Sequence, residues 1–121
     1  MQLIIAFGAA ILTAVVSQLL FKKGVSTFVF QDFSFEEILV LIRHIFSNWF
    51  LVCGIFFYGV SFLLWVIVLS KTKLSFAYPI TSINFILVLL ASYYLFDEKL
   101  ALVQYLGILI IIFGVLILSR A

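Results

Sequence analysis

No acidic side chain falls inside any of the long apolar stretches of this sequence, and charges of either sign are few. The 121 residues hold seven Lys and Arg and five Asp and Glu, 10% of the chain. A water-soluble domain averages about 25%. The charged residues are confined to positions 22–23, 32–43, 71–73, 97–99 and 120. Without a carboxylate in an apolar segment, no intramembrane Asp or Glu can carry a proton. The lone cysteine, Cys53, cannot form an internal disulfide, so it reveals no redox compartment. Histidine occurs once, at His44, and no cluster of metal ligands exists, so no metal and no other cofactor is expected. No Gly-x4-Gly-Lys-[Ser/Thr] run occurs, which excludes a P-loop as the energy source. No nucleophile–base pair is spaced for catalysis, so the chain reads as a non-enzyme. A net charge of +2, scattered along the chain, gives no footprint for nucleic acid.

What is present is apolar. Hydrophobic residues make up 67% of the chain and the mean hydropathy is +1.40. The charges separate four long segments, each near the ~20 residues that cross a bilayer core of ~30 Å. The expected fold is an all-α membrane protein with four transmembrane helices, at about 3–21, 49–70, 74–96 and 100–119. They form a single four-helix domain over 1–121. The first segment lacks a basic leader and a small-residue cleavage site, and reads as a retained helix. Basic residues barely bias the topology. Lys71, Lys73 and Arg120 lie on one side, against Lys22, Lys23, Arg43 and Lys99 on the other. A fixed orientation and insertion in both orientations with antiparallel pairing both stay open.

The first segment has small residues for helix contact, Gly8-Ala9-Ala10 and Thr13-Ala14. It ends on Ser17, Gln18 and the pair Lys22-Lys23. Those lysines either snorkel to the interface or form a cationic clamp for a phosphate. Ser34-Phe-Glu-Glu37 has the capping-box pattern, with Phe33 and Ile38 placed as a hydrophobic staple. Phe35, Ile38, Leu39, Ile42, Ile45 and Phe46 then make one apolar stripe. This predicts a short interfacial amphipathic helix at about 35–46, with His44 as a wet interfacial side chain. The aromatics of 49–70 read mainly as lipid-facing bulk and helix packing, with an acyl-chain groove as the alternative. The third span contains Tyr78, the only proline (Pro79), Thr81, Ser82 and Asn84. Pro79 removes a backbone donor and opposes the Ser75 carbonyl, so a kink or a helix start is expected there. The hydroxyls and the amide either repair the broken backbone and helix contacts or line a polar cavity. In the fourth span Gly107 and Gly114, seven positions apart, share a face that permits a close dimer contact. Asp97 or Glu98 can cap its positive end.

These residues resemble the small multidrug resistance family of the drug/metabolite transporter superfamily. The match covers nearly the whole chain: four helices, the Ala10-Ile-Leu opening, the Ala77-Tyr78 pair, and the Gly107…Gly114-Val-Leu-Ile face. The resemblance implies an antiparallel or pseudo-antiparallel dimer. Members of that family export cations against protons through a glutamate in the first helix; the aligned position here is Ala14. The tryptophan expected one turn after the tyrosine is Thr81, and the glycine-rich bend is Ile83-Asn84-Phe85. The chain is more similar to the branch that holds the small subunits of the undecaprenyl-phosphate–aminoarabinose flippase. That branch also lacks the glutamate. Its pattern is present as Ser17-Gln18-Leu19 with Lys22-Lys23, as Leu64-Trp65-Val-Ile-Val-Leu69, and as Ala77-Tyr78-Pro79-Ile-Thr-Ser82-Ile-Asn84-Phe85. Glu98 also fits.

The resulting expectation is an inner-membrane transporter that flips a polyprenyl-phosphate-linked sugar or similar anionic lipid. The lipid tail stays in the bilayer while the head crosses a groove lined by Gln18, Tyr78, Ser82 and Asn84. Lys22 and Lys23 hold the phosphate. The chain pairs as a homodimer, or as a heterodimer with a similar small subunit, through Gly107 and Gly114. Alternatives are a small-molecule or drug exporter with unusual coupling and an accessory subunit of a membrane glycosyltransferase.

Overall fold

The structure, a computed structural model, describes residues 1–120; Ala121, the last residue of the expected domain, lies outside the described residues. Six helices follow in order: α1 (Gln2–Val25), α2 (Phe35–Ser47), α3 (Trp49–Lys71), α4 (Leu74–Ile80), α5 (Ile83–Leu95) and α6 (Leu102–Ser119). α1, α3, the α4–α5 pair and α6 are long and apolar enough to cross a membrane, as the hydropathy pattern predicts.

α1 and α3 form the tightest pair. Small residues set the seam at every seventh position. Ala10, Ser17 and Gly24 are buried on α1; Gly54, Ser61 and Val68 are buried on α3. Such a repeat keeps one stripe of each helix facing the other. The buried Ser61 hydroxyl donates to the Ala10 carbonyl at 2.8 Å. A Cβ at Gly54 would lie 2.7 Å from the Phe21 ring, and one at Gly24 only 2.5 Å from Leu51 Cγ. Both glycines are therefore required by close approach. Of the small residues picked out on α1, Ala10 is in the seam, whereas a Cβ at Gly8 would meet nothing within 4 Å.

α2 has the predicted bounds to within a residue. Ser34 Oγ accepts from the Glu37 amide at 3.2 Å, closing the N-terminus. Phe33 is 89% exposed and meets Phe30 edge-on, so it does not staple onto the helix. Nothing in α2 is buried, and its stripe residues Phe35, Ile38, Leu39, Ile42 and Phe46 stay uncovered by the chain. His44 corrects the expectation of a wet side chain. It is half-buried, its Nε2 lies 3.0 Å from the Gly24 carbonyl, and its ring stacks on Phe28. Asn48 Nδ2 donates to the same carbonyl at 3.3 Å, and its Oδ1 caps α3. The end of α2 is thus tied to the C-terminal end of α1, which runs a turn beyond the predicted Phe21.

The third span is interrupted where proline foretells trouble, but just after it. α4 ends at Ile80, a turn covers Thr81-Ser82, and α5 begins at Ile83. Thr81 and Ser82 keep right-handed helical angles. The amides of Thr81, Ser82, Asn84 and Phe85 bond three residues back rather than four. The span is therefore one rod with an overwound turn, the 3₁₀ geometry that often marks a hinge or strain. α6 packs only lightly, against α4 and α5, and no side chain of it is buried. Its N-terminus is closed by Gln104, whose Oε1 accepts from the Ala101 amide at 2.7 Å. Asp97 and Glu98 do not cap it. Asp97 adopts φ 53° and turns the chain out of α5, where the Phe96 and Glu98 amides converge on the Ser92 carbonyl.

Candidate functional site

Three of the four spans, α1, α3 and the α4–α5 pair, wall a cleft. α1 contributes Ala14 and Gln18; α3 contributes Tyr58, Ser61, Phe62 and Trp65; α4–α5 contribute Tyr78, Thr81, Asn84, Phe85, Val88 and Leu89. Its volume, about 670 Å³, falls in the ~300–1,000 Å³ range of small-ligand sites. The α3 set follows an i, i+3, i+4, i+7 spacing, and Thr81, Asn84, Phe85 and Val88 do the same. Each is one helix face, so a continuous wall results.

The wall is aromatic with a few polar atoms. Trp65 links the cleft to its surroundings, with edge-on contacts to Tyr78 at 6.4 Å and Phe7 at 6.0 Å between ring centroids. Tyr58 leans on Phe21. The Ser61 hydroxyl is engaged with Ala10 and is not a free donor. The amide oxygen of Asn84 is buried and has no hydrogen-bond partner. An unpaired carbonyl in so apolar a setting is costly, about 1–3 kcal/mol. It is the one buried side-chain polar atom without a hydrogen-bond partner among the described residues.

The structure sorts the residues singled out in the sequence. Gln18, Tyr78 and Asn84 come together on the cleft wall. Ser82 does not join them; its Oγ donates to the Pro79 carbonyl at 2.6 Å. Thr81 lines the cleft, but its hydroxyl donates to the Tyr78 carbonyl. Both hydroxyls thus bond carbonyls within the overwound turn. Lys22 and Lys23 are outside the cleft wall. Lys22 lies one turn beyond Gln18 on the same helix face, its Nζ 3.5 Å from Glu98 Oε1. Lys23 lies over the Phe50 ring at 5.0 Å. Gly107 and Gly114 face open space, with nothing within 4 Å of a Cβ at either.

Reading the α3 aromatics as bulk missed Tyr58, Phe62 and Trp65. Their 58-61-62-65 spacing around a serine was the available signal, since lipid-facing aromatics need no shared face.

Four spanning helices, three of which wall a cleft that is aromatic, sparsely polar and free of acid, fit a carrier-type membrane protein. The chain belongs to the EamA-like transporter family, whose model matches residues 1–120, within the drug/metabolite transporter superfamily. Its four apolar spans make it a multi-pass membrane protein. Part of it is similar to proteins named "Probable 4-amino-4-deoxy-L-arabinose-phosphoundecaprenol flippase subunit ArnE". The Yersinia pseudotuberculosis (serotype O:1b, strain IP 31758) protein is 46% identical over 61 residues, 50% of this chain and 54% of that one. The Yersinia pestis (strain Pestoides F) protein is 44% identical over the same length and the same shares. The Enterobacter sp. (strain 638) protein is 41% identical over 63 residues, 52% of this chain and 59% of that one. The match therefore spans little more than half the length of these relatives.

Proposed function

We propose that this chain is a subunit of a flippase that carries a polyprenyl-phosphate-linked sugar, or a similar anionic lipid, across the inner membrane. The observation that supports this reading best is the unpartnered Asn84 oxygen inside an aromatic-walled cleft. A sugar brings hydroxyl or amino donors to such an acceptor, and its C–H faces stack on rings such as Trp65, Tyr58 and Tyr78. Gln18 supplies a second amide. The tail need not enter the cleft, because it remains soluble in the bilayer.

The absence of a carboxylate fits the same substrate. Ala14 lines the cleft at the position where the resembling cation exporters carry glutamate. An acid there would repel a phosphate in a medium of low dielectric. The cleft has no wall from α6, and α6 carries Gly107 and Gly114 on an unoccupied face. We read that face as the contact for a second small subunit, identical or similar, which makes the working unit a dimer.

The test is reconstitution of the protein in liposomes, alone and with a similar small subunit, with a lipid-linked aminosugar on one leaflet. Head groups should become accessible on the other leaflet only where protein is present. No translocation in either arrangement would sink the proposal. Resistance to cationic drugs without lipid translocation would point instead to an exporter.

A further inference from the structure

Adjacent lysines need not share a job, and here they face two different compartments. Ala14, Gln18 and Lys22 recur every fourth residue on the α1 face that looks into the polar cleft. Val16, Leu19, Leu20 and Lys23 are spaced i, i+3, i+4, i+7 and form another face of α1. That face lines a second cavity of about 400 Å³, closed on its far side by Leu95 and Phe96, with Ser26 at the α1 end. The two spaces share no lining residue. From Val16 to Lys23 the groove follows α1 for about 10 Å at ~1.5 Å per residue.

The lysines also differ in charge balance. Lys22 is compensated by Glu98 at 3.5 Å. Lys23 has no carboxylate within ion-pair distance among the described residues; its amine rests on the Phe50 ring. The second cavity is thus an apolar slot with one uncompensated cation at its membrane-surface end. That is the complement of an amphiphile with a single-chain tail and an anionic phosphate.

We propose that the groove between α1 and α5 holds the first part of the tail of a lipid phosphate, with Lys23 binding the phosphate. This rests on the flippase reading and refines it. The tail and phosphate dock on one side of α1, the sugar alone enters the cleft on the other, and the Lys22–Glu98 bridge stands between them. Only one of the two lysines is then the phosphate anchor.

The test is photolabelling of the full chain in phosphatidylcholine nanodiscs, with a farnesyl phosphate that carries a diazirine on its tail. Labelled peptides should map to Leu19, Leu20, Leu95 and Phe96. Lys23→Gln should lower that labelling about fivefold, the effect of losing one lysine's attraction for an interfacial anion. Lys22→Gln should change it less than twofold, and Leu95→Trp, which fills the groove, should abolish it. Farnesol carrying the same diazirine should label the groove as weakly as the phosphate labels Lys23→Gln, and inorganic phosphate should not compete. Labelling spread evenly over α6 and α1 would mean bulk lipid only and would overturn the proposal. So would equal loss from either lysine variant, or farnesol labelling as strong as that of the phosphate. The readout needs no transport. Groove labelling without head-group translocation would reject the flippase reading alone, and translocation without groove labelling would reject the tail groove alone.

Discussion

Replacing Asn84 with leucine should separate a ligand-binding role from a structural one by the sign of the stability change. The Asn84 amide oxygen is buried without a partner, about 15 Å along a span of about 33 Å, so near mid-membrane. Leaving such a group unsatisfied costs about 1–3 kcal/mol. Asn84→Leu removes the orphan and keeps the volume similar. The protein should therefore be unchanged or more stable by up to about that amount. Ligand affinity should move the other way. A lost neutral hydrogen bond of about 0.5–1.5 kcal/mol weakens binding about two- to twelve-fold, and a lost bond to an ammonium group weakens it more. Thr81→Val is the comparison. Its hydroxyl already donates to the Tyr78 carbonyl, so its removal should leave binding nearly intact. The assays are thermal unfolding of the purified protein in detergent and lipid-sugar translocation in liposomes. The reasoning is refuted if Asn84→Leu lowers stability by more than about 1 kcal/mol, since Asn84 would then be bonding another helix. Wild-type transport by both variants would equally return the polar stripe to a structural role.

Other changes test the scaffold and the bridge. Gly54→Ala should cost about 1–3 kcal/mol, because its Cβ would meet the Phe21 ring at 2.7 Å; a melting point equal to wild type would show that the seam yields. Gly107→Ala, with open space around its Cβ, should leave the isolated chain unchanged. A shift in oligomeric state on gel filtration would then report the proposed α6 contact, and no shift in any α6 glycine variant would count against it. Ser61→Ala should cost about 1 kcal/mol through loss of the buried bond to the Ala10 carbonyl, measured as a lower unfolding midpoint. A double-mutant cycle on Lys22 and Glu98 should find a coupling below about 1 kcal/mol, since the side chains are 57% and 46% exposed. A larger coupling would mean that the bridge holds α1 to the α5–α6 loop and does more than separate two cavities.

The spans were legible because charge and hydropathy are local properties, and so was α2, whose cap and stripe are written in consecutive residues. What was not legible depends on which faces meet. Ala10, Ser17 and Gly24 form a seven-residue repeat that is visible only once Gly54, Ser61 and Val68 supply its partner. His44 looked solvated because its acceptor, the Gly24 carbonyl, lies twenty residues away and is freed only where α1 ends. Asp97 looked like a helix cap from its position before an apolar run; its left-handed φ assigns it to the end of α5 instead. For the candidate site, the Ala77–Phe85 stretch pointed to the right helix and to Tyr78 and Asn84. It could not tell Ser82 from Thr81, because an overwound turn moves neighbouring side chains between faces. Sequence adjacency likewise hides the ~100° that separates Lys22 from Lys23 around the helix, which sets one beside Glu98 and the other over Phe50.

The overwound turn and the orphan amide are best understood together. Pro79 has no amide to give to the Ser75 carbonyl, and in the overwound turn that follows, the Tyr78 and Pro79 carbonyls each accept both the amide and the hydroxyl of Thr81 and Ser82 respectively. The Thr81 and Ser82 hydroxyls are thus engaged, and Asn84, one turn on, keeps an amide oxygen with no partner among the described residues, on a wall where Ala14 offers neither donor nor charge. A polar ligand that supplies a donor would remove the penalty on entering, so part of its affinity would come from relieving a cost the empty protein already carries. A carboxylate at position 14 would change this balance, drawing a cation or a proton into the cleft and repelling a phosphate. The same four-helix frame can therefore favour opposite charges according to one side chain, and in this chain that side chain is alanine.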